Sequence, residues 1–204
     1  MNPSSPASGC SLNDYVISVR PPVLRRAPPW HTNRISLYIG EVAASLLPAM
    51  LDTVLGSCVA VCIYDPALRA GGMNHILLPS SRADEPNSRC GVNAMELLLG
   101  ELTKLGADRR RFVAKAFGGA NVLGGIKMPP IGSRNATFVR EFLAAKRIPL
   151  VAERMGGSRA VHVYFHTDTG KATVHTVDGS SLPKVIDAEN AYWRSGPLNN
   201  SSGK

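Results

Sequence analysis

The stretch from Leu55 to Pro79, LGSCVAVCIYDPALRAGGMNHILLP, constrains this chain more than any other. It holds two apolar runs, each bounded by chain breakers, with Asp65-Pro66 and Gly71-Gly72 marking a turn region between them. Val59 to Tyr64 reads as one buried strand and Met73 to Leu78 as the next. A connection this short makes the two strands neighbours and brings His75 back beside Cys58. Gly56-Ser57 interrupts the apolar run just before the cysteine, and glycine tolerates backbone angles that side chains forbid, so Cys58 is expected at a turn with N–H groups free around it. Free N–H groups beside a nucleophile form an oxyanion hole.

A thiol with an ordinary pKa of about 8.5 is only a few per cent thiolate at neutral pH, so an imidazole is needed to raise that fraction and later to protonate the leaving group. Cys58 and His75 are therefore the candidate nucleophile and base of a thiol-dependent hydrolase. The competing reading is structural. Cysteine in an apolar strand commonly serves as a small core residue, and a single histidine as a hydrogen-bonded one.

Leu55-Gly56-Ser57-Cys58-Val59-Ala60-Val61, Asp65-Pro66, Gly72 to His75 and Leu78-Pro79 together resemble the signature of the CheD family of chemoreceptor glutamine deamidases. Further matches are Lys115 to Ala120, Ile131 to Asn135, Gly156 to Arg159 and Thr169-Gly170, so the resemblance runs from about Ile35 to Val177. It implies a Cys-His-Thr catalytic set. Cys58 and His75 fall on its first two members, and Thr53 on the third as an orienting hydroxyl; other members place the threonine one residue earlier, where this chain has Asp52. The turn Gly56-Ser57 would supply the oxyanion donors, and the loop of Gly118 and Gly119 would lie near the active site, towards the substrate or the cysteine turn. The implied reaction converts a protein glutamine to glutamate through a cysteine thioester, releasing ammonia, with no metal or organic cofactor. The implied partners are the cytoplasmic helices of chemoreceptors and a CheC-like phosphatase. Two alternatives remain: a regulatory module that docks on a receptor or phosphatase, and a different thiol hydrolase.

The rest of the chain is read from its pattern. With 204 residues, one domain with a sizeable core plus extensions is expected. Residues 1–34 are rich in proline and arginine and are expected to form a flexible basic arm, with Trp30 docking on the core; 35–186 would be the deamidase-like domain and 187–204 a frayed tail. Strands are expected at 35–44, with Gly40 as a bulge, and at 52–55, 111–116, 150–153, 160–166 and 171–177. Helices are expected from Val92 to Leu105 and from Arg134 to Arg147, the second capped by Ser133, with a polar loop over 80–91. Strands and two principal helices in mixed order make an α+β domain. The resemblance adds layered mixed and antiparallel sheets, the helices on an outer face, and a likeness to bacterial toxin cysteine deamidases.

The net charge of +8 would suit nucleic acid, an anionic membrane surface or an acidic protein partner and by itself selects none of them; with the resemblance, an acidic receptor helix is the expected partner and nucleic acid is not. No stretch approaches the length of a membrane span or has the form of an export signal, so a cytoplasmic protein without membrane insertion is expected. Cys58 with Cys62, and His162 with His166, are separated by roughly 13 Å if they lie on strands, too far for one metal ion. Arg159, in a glycine-rich loop, is a candidate for holding an acidic substrate.

Overall fold

The computed structural model describes residues 33–78, 86–121 and 131–177, together with 183, 187–189 and 191. The expected arm through residue 32 with Trp30, the loop residues 79–85 and 127–130, and the tail beyond 191 lie outside the described residues.

Gly40 shapes the start of the fold. Where one strand with a bulge is expected over 35–44, Gly40 adopts φ +84° and breaks the run into β1 (Arg34–Ser36) and β2 (Val42–Ser45). The two halves join different sheets. β1 pairs in parallel with β3 (Met50–Leu55), which continues antiparallel through β8 (Val161–His166) to β9 (Ala172–Thr176). β2 opens a five-stranded sheet, followed in order by β5 (Ala70–Ile76), β4 (Val59–Asp65), β6 (Val113–Gly118) and β7 (Leu150–Met155), the last pair parallel. The mixed sheets and two long helices make the expected α+β arrangement.

β4 explains the layering. Val59, Val61 and Ile63 point to one side and pack with Met95, Leu98, Leu99 and Leu102 of α1 (Pro86–Lys104) and with Val139, Phe142 and Leu143 of α2 (Ile131–Ala145). Cys58, Ala60 and Cys62 point to the other and pack against Leu51, Leu55, Val163 and Phe165 of the four-stranded sheet. Alternation along a strand sends successive side chains to opposite faces, so a strand covered on both sides reads as an unbroken apolar run. The order of layers is helices, five-stranded sheet, four-stranded sheet.

Three local expectations are corrected. Gly71 and Gly72 are not in the turn, which spans 66–69, but inside β5. They are there for close approach: a Cβ would come within 2.7 Å of the Thr167 carbonyl at the first and the Ala43 carbonyl at the second. The turn is organised by buried Asp65, which accepts from the N–H groups of Ala67, Leu68 and Asp108 and from the Arg111 guanidinium. Arg111 first, aided by those N–H groups, holds the carboxyl well below its usual range. Helix α1 begins at Pro86, inside the expected loop, since proline suits the first helical position, where no N–H is required. Helix α2 begins at Ile131, so Ser133 lies within its first turn and is not its cap.

Candidate active site

Strand register assembles the site. His75 on β5 stands opposite Ala60 on β4, and Cys58 lies two residues before Ala60, so cysteine and histidine share the face turned towards the four-stranded sheet. Diagonal neighbours of this kind are about 7–8 Å apart at Cα, within reach of an imidazole. From across the gap β3 contributes Thr53. Its neighbour Asp52 faces the other way, accepting from Arg34, Ser36 and His162. Strand alternation thus turns Thr53, and not Asp52, towards His75.

Thr53 Oγ1 donates to the Leu37 carbonyl at 2.7 Å and lies 2.8 Å from His75 Nδ1. A hydroxyl has one hydrogen to give, and it is committed to Leu37, so Nδ1 carries the proton and donates to Thr53. Nε2 is then the unprotonated nitrogen. It is buried and has no hydrogen-bond partner among the described residues. Burial lowers the His75 pKa from 6.5 to about 4, which keeps the ring neutral, with Nε2 unprotonated.

These contacts give Thr53→Val a defined outcome. The Nδ1–H loses its acceptor inside the core, costing about 1–3 kcal/mol of stability, and the ring loses its fixed tautomer. Thr53→Ser keeps the hydroxyl and is expected to retain most activity. Comparing turnover and urea midpoints of the two variants checks this; loss in Thr53→Ser with retention in Thr53→Val would assign the role to the methyl group.

The turn carrying Cys58 is held from behind through all three of its carbonyls. Ala120 N donates to Gly56 O at 2.8 Å, Asn135 Nδ2 to Ser57 O at 2.7 Å, and Gly119 N to Cys58 O at 2.6 Å. Asn135 also accepts from Leu78 N at 3.0 Å, so one buried side chain joins the cysteine turn to the segment that follows His75. Gly118 and Gly119, expected near the substrate or the cysteine turn, are found on the turn. Gly56 is not among the left-handed glycines; Gly118 (φ +103°) and Gly119 (φ +64°) are. Arg159 is exposed, and its guanidinium makes no hydrogen bond or ion pair among the described residues. Its loop nevertheless adjoins the glycine pair, since Gly156 N donates to Gly118 O and Asn121 N to Gly157 O.

With their carbonyls tied back, the Ser57 and Cys58 N–H groups converge on one atom, Oε1 of Glu189, at 2.8 and 3.3 Å. Ser57 Oγ donates to Oε2 of the same carboxylate at 2.7 Å. Two backbone donors aimed at one anionic oxygen beside a thiol have the form of an oxyanion hole. Of the expected pair Gly56-Ser57 only Ser57 donates here, joined by Cys58, and a residue from the expected frayed tail takes both N–H groups: Glu189 is 3% exposed. Cys58 is fully buried, and its thiol pKa is pushed well above the ordinary value, first by burial and then by the charge and hydrogen bond of Glu189. Nothing local in the sequence marks Glu189. Asn135 lay in a matched motif without an assigned role.

A family model described as CheD, chemotactic sensory transduction, matches residues 77–176. A protein of Stenotrophomonas maltophilia named probable chemoreceptor glutamine deamidase CheD is 45% identical over 160 residues, covering 74% of this chain and 81% of its own. One of Xanthomonas campestris with the same name matches to the same extent. Probable chemoreceptor glutamine deamidase CheD 1 of Shewanella oneidensis is 43% identical over 163 residues, covering 78% and 79%. The crystal structure of the Bacillus licheniformis hypothetical protein YfiH aligns with a TM-score of 0.38 at 14% identity over 57% of this chain and 49% of its own, a likeness too low to carry an argument. The signature around Cys58 and His75, together with relatives this similar over most of their own length, establishes that the chain belongs to the CheD family.

Proposed function

We propose that this protein hydrolyses the side-chain amide of specific chemoreceptor glutamines, converting them to glutamate. The observation that carries the reading is the pair of N–H groups from Ser57 and Cys58 converging on one carboxylate oxygen next to the thiol. A glutamine carboxamide placed there has its carbonyl oxygen between two donors and its carbon beside sulfur.

Nε2 of His75 takes the thiol proton, and the thiolate attacks the carboxamide carbon. The oxyanion forms against the Ser57 and Cys58 N–H groups, and the imidazolium returns its proton so that ammonia leaves. Water, deprotonated by His75, hydrolyses the thioester and regenerates the thiol. Thr53 holds the ring in the tautomer that both steps need. Each turnover adds one negative charge to the receptor, and the +8 charge of the chain favours approach to an acidic helical surface. We place the reaction in the cytoplasm, where the receptors' signalling helices lie; among the described residues no helix is long and apolar enough to cross a membrane. The cysteine at a strand start with a histidine on the adjacent strand supports a likeness to bacterial toxin cysteine deamidases.

The test is mass spectrometry of receptor cytoplasmic fragments after incubation with the protein. Specific glutamine peptides are expected to gain about one dalton, and Cys58→Ala to abolish the gain. Backbone scission without that gain would make it a different thiol hydrolase.

A further inference from the structure

Glu189 is the side chain for which the proposed chemistry has no use, and it stands where that chemistry must happen. It reaches the cysteine turn from 131 and 132 positions away along the chain. Its contacts among the described residues are to groups a substrate would meet: the N–H groups of Ser57 and Cys58, the Ser57 hydroxyl and the Cys58 thiol. A carboxylate at the end of a two-carbon stem, one oxygen in an oxyanion hole, is also the product of glutamine hydrolysis. The other oxygen, Oε2, then corresponds to the position of the amide nitrogen or of the water that replaces it. The Ser57 hydroxyl suits both, since it donates to a carboxylate and accepts from an NH₂.

A second observation supports this. His75 Nε2 is buried and has no hydrogen-bond partner among the described residues, while the Cys58 thiol is hydrogen-bonded to Glu189 instead. With Glu189 in place, the thiol is covered and beside a negative charge, where deprotonation is opposed. With Glu189 gone, the two N–H groups lose the oxygen that fills them and the thiol loses the negative charge beside it.

We propose that Glu189 is an intramolecular product mimic: the 187–189 segment caps the cysteine turn through this side chain in the resting protein, and a receptor glutamine enters by displacing it. The glutamate marks the subsite of the substrate side chain, and the segment competes with receptor for it. The identity of the competing substrate rests on the deamidase reading; the capping itself does not.

The consequences follow from mass action. If the uncapped form is one molecule in ten or fewer, removing the cap raises the apparent rate of any reagent that needs it by about tenfold or more. Glu189→Ala is therefore expected to be alkylated by iodoacetamide at Cys58 about tenfold faster than the unaltered protein, and to show a lower KM for receptor fragments. Thermal melts of both proteins ensure that the gain does not come from unfolding. Glu189→Gln supplies a sharper readout, because it places a carboxamide in the subsite. Thiolate attack there expels ammonia with a proton from His75, and solvent water cleaves the thioester, restoring a carboxylate at position 189. The peptide containing that position is expected to gain about one dalton on incubation, and not in the Glu189→Gln, Cys58→Ala double variant.

Alkylation at an unchanged rate in a folded Glu189→Ala protein would overturn the cap, whatever the protein does to receptors. Loss of receptor deamidation in that variant would also overturn it, making Glu189 part of the machinery. Faster alkylation with no conversion of either the introduced glutamine or receptor glutamines would leave the cap standing and sink the deamidase reading instead.

Discussion

His75→Leu is expected to remove nearly all turnover while making the protein more resistant to acid. The catalytic half follows from the role of Nε2, which must accept the thiol proton, protonate departing ammonia and activate water; losing such a group costs about 10²–10⁴-fold. The stability half follows from burial. A histidine whose pKa lies at 6.5 in the unfolded chain and about 4 in the folded one binds more protons when unfolded throughout that interval. Stability is therefore intact above pH 6.5 and declines as the pH falls towards 4, by about 3 kcal/mol in all. Leucine abolishes the titration. It leaves Thr53 Oγ1 bonded to the Leu37 carbonyl, so no new unpaired hydroxyl appears. Urea unfolding at pH 7 and pH 4 checks the sign: the unaltered protein should lose about 3 kcal/mol more between them than the variant. Parallel losses would mean that His75 titrates normally and that the ring is not held neutral by its surroundings.

The same residues show what a sequence discloses and what it conceals. β4 was legible because both of its faces are covered, which leaves an apolar run between breakers, and the turn before it placed Cys58. The histidine was legible because it lies on the adjacent strand, where local connection fixes the register. Gly40 was seen as a bulge, but its effect, sending β1 and β2 to different sheets, depends on strand partners that only the assembled fold supplies. Gly71 and Gly72 were placed in the turn because a glycine pair has the same letters whether it bends the chain or lets Thr167 and Ala43 approach. Asn135 and Glu189 act on the cysteine turn across 78 and more than 130 positions. A single polar contact at that separation leaves no periodicity and no spacing to read. The site therefore appeared in sequence as nucleophile, base and donors, while its support and its occupant did not.

Gly118→Ala is expected to be among the most damaging single-methyl changes in the chain, and the reason separates two effects usually confounded in glycine. Gly118 has φ +103°, a conformation that costs a residue with a Cβ about 1–3 kcal/mol wherever it occurs. Gly156, at φ +93°, carries the same conformational penalty, but a Cβ there meets nothing within 4 Å. At Gly118 the Cβ would be 2.3 Å from the Cys58 carbonyl oxygen and 3.0 Å from Leu55 Cβ. That oxygen cannot yield alone. It also accepts from Gly119 N at 2.6 Å, and the neighbouring Ser57 carbonyl is held by Asn135, so relieving the clash moves the whole turn and the N–H groups on its other side. Gly156→Ala should thus lose about 1–3 kcal/mol and keep its activity, whereas Gly118→Ala should lose more than about 4 kcal/mol. The fraction that folds should also turn over slowly, because donors that must lie within a few tenths of an ångström of the oxyanion are displaced with the carbonyl. Denaturant midpoints with turnover per folded molecule give both numbers. Equal stability losses in the two variants would reduce the glycine at 118 to its backbone angle and remove it from the support of the nucleophile.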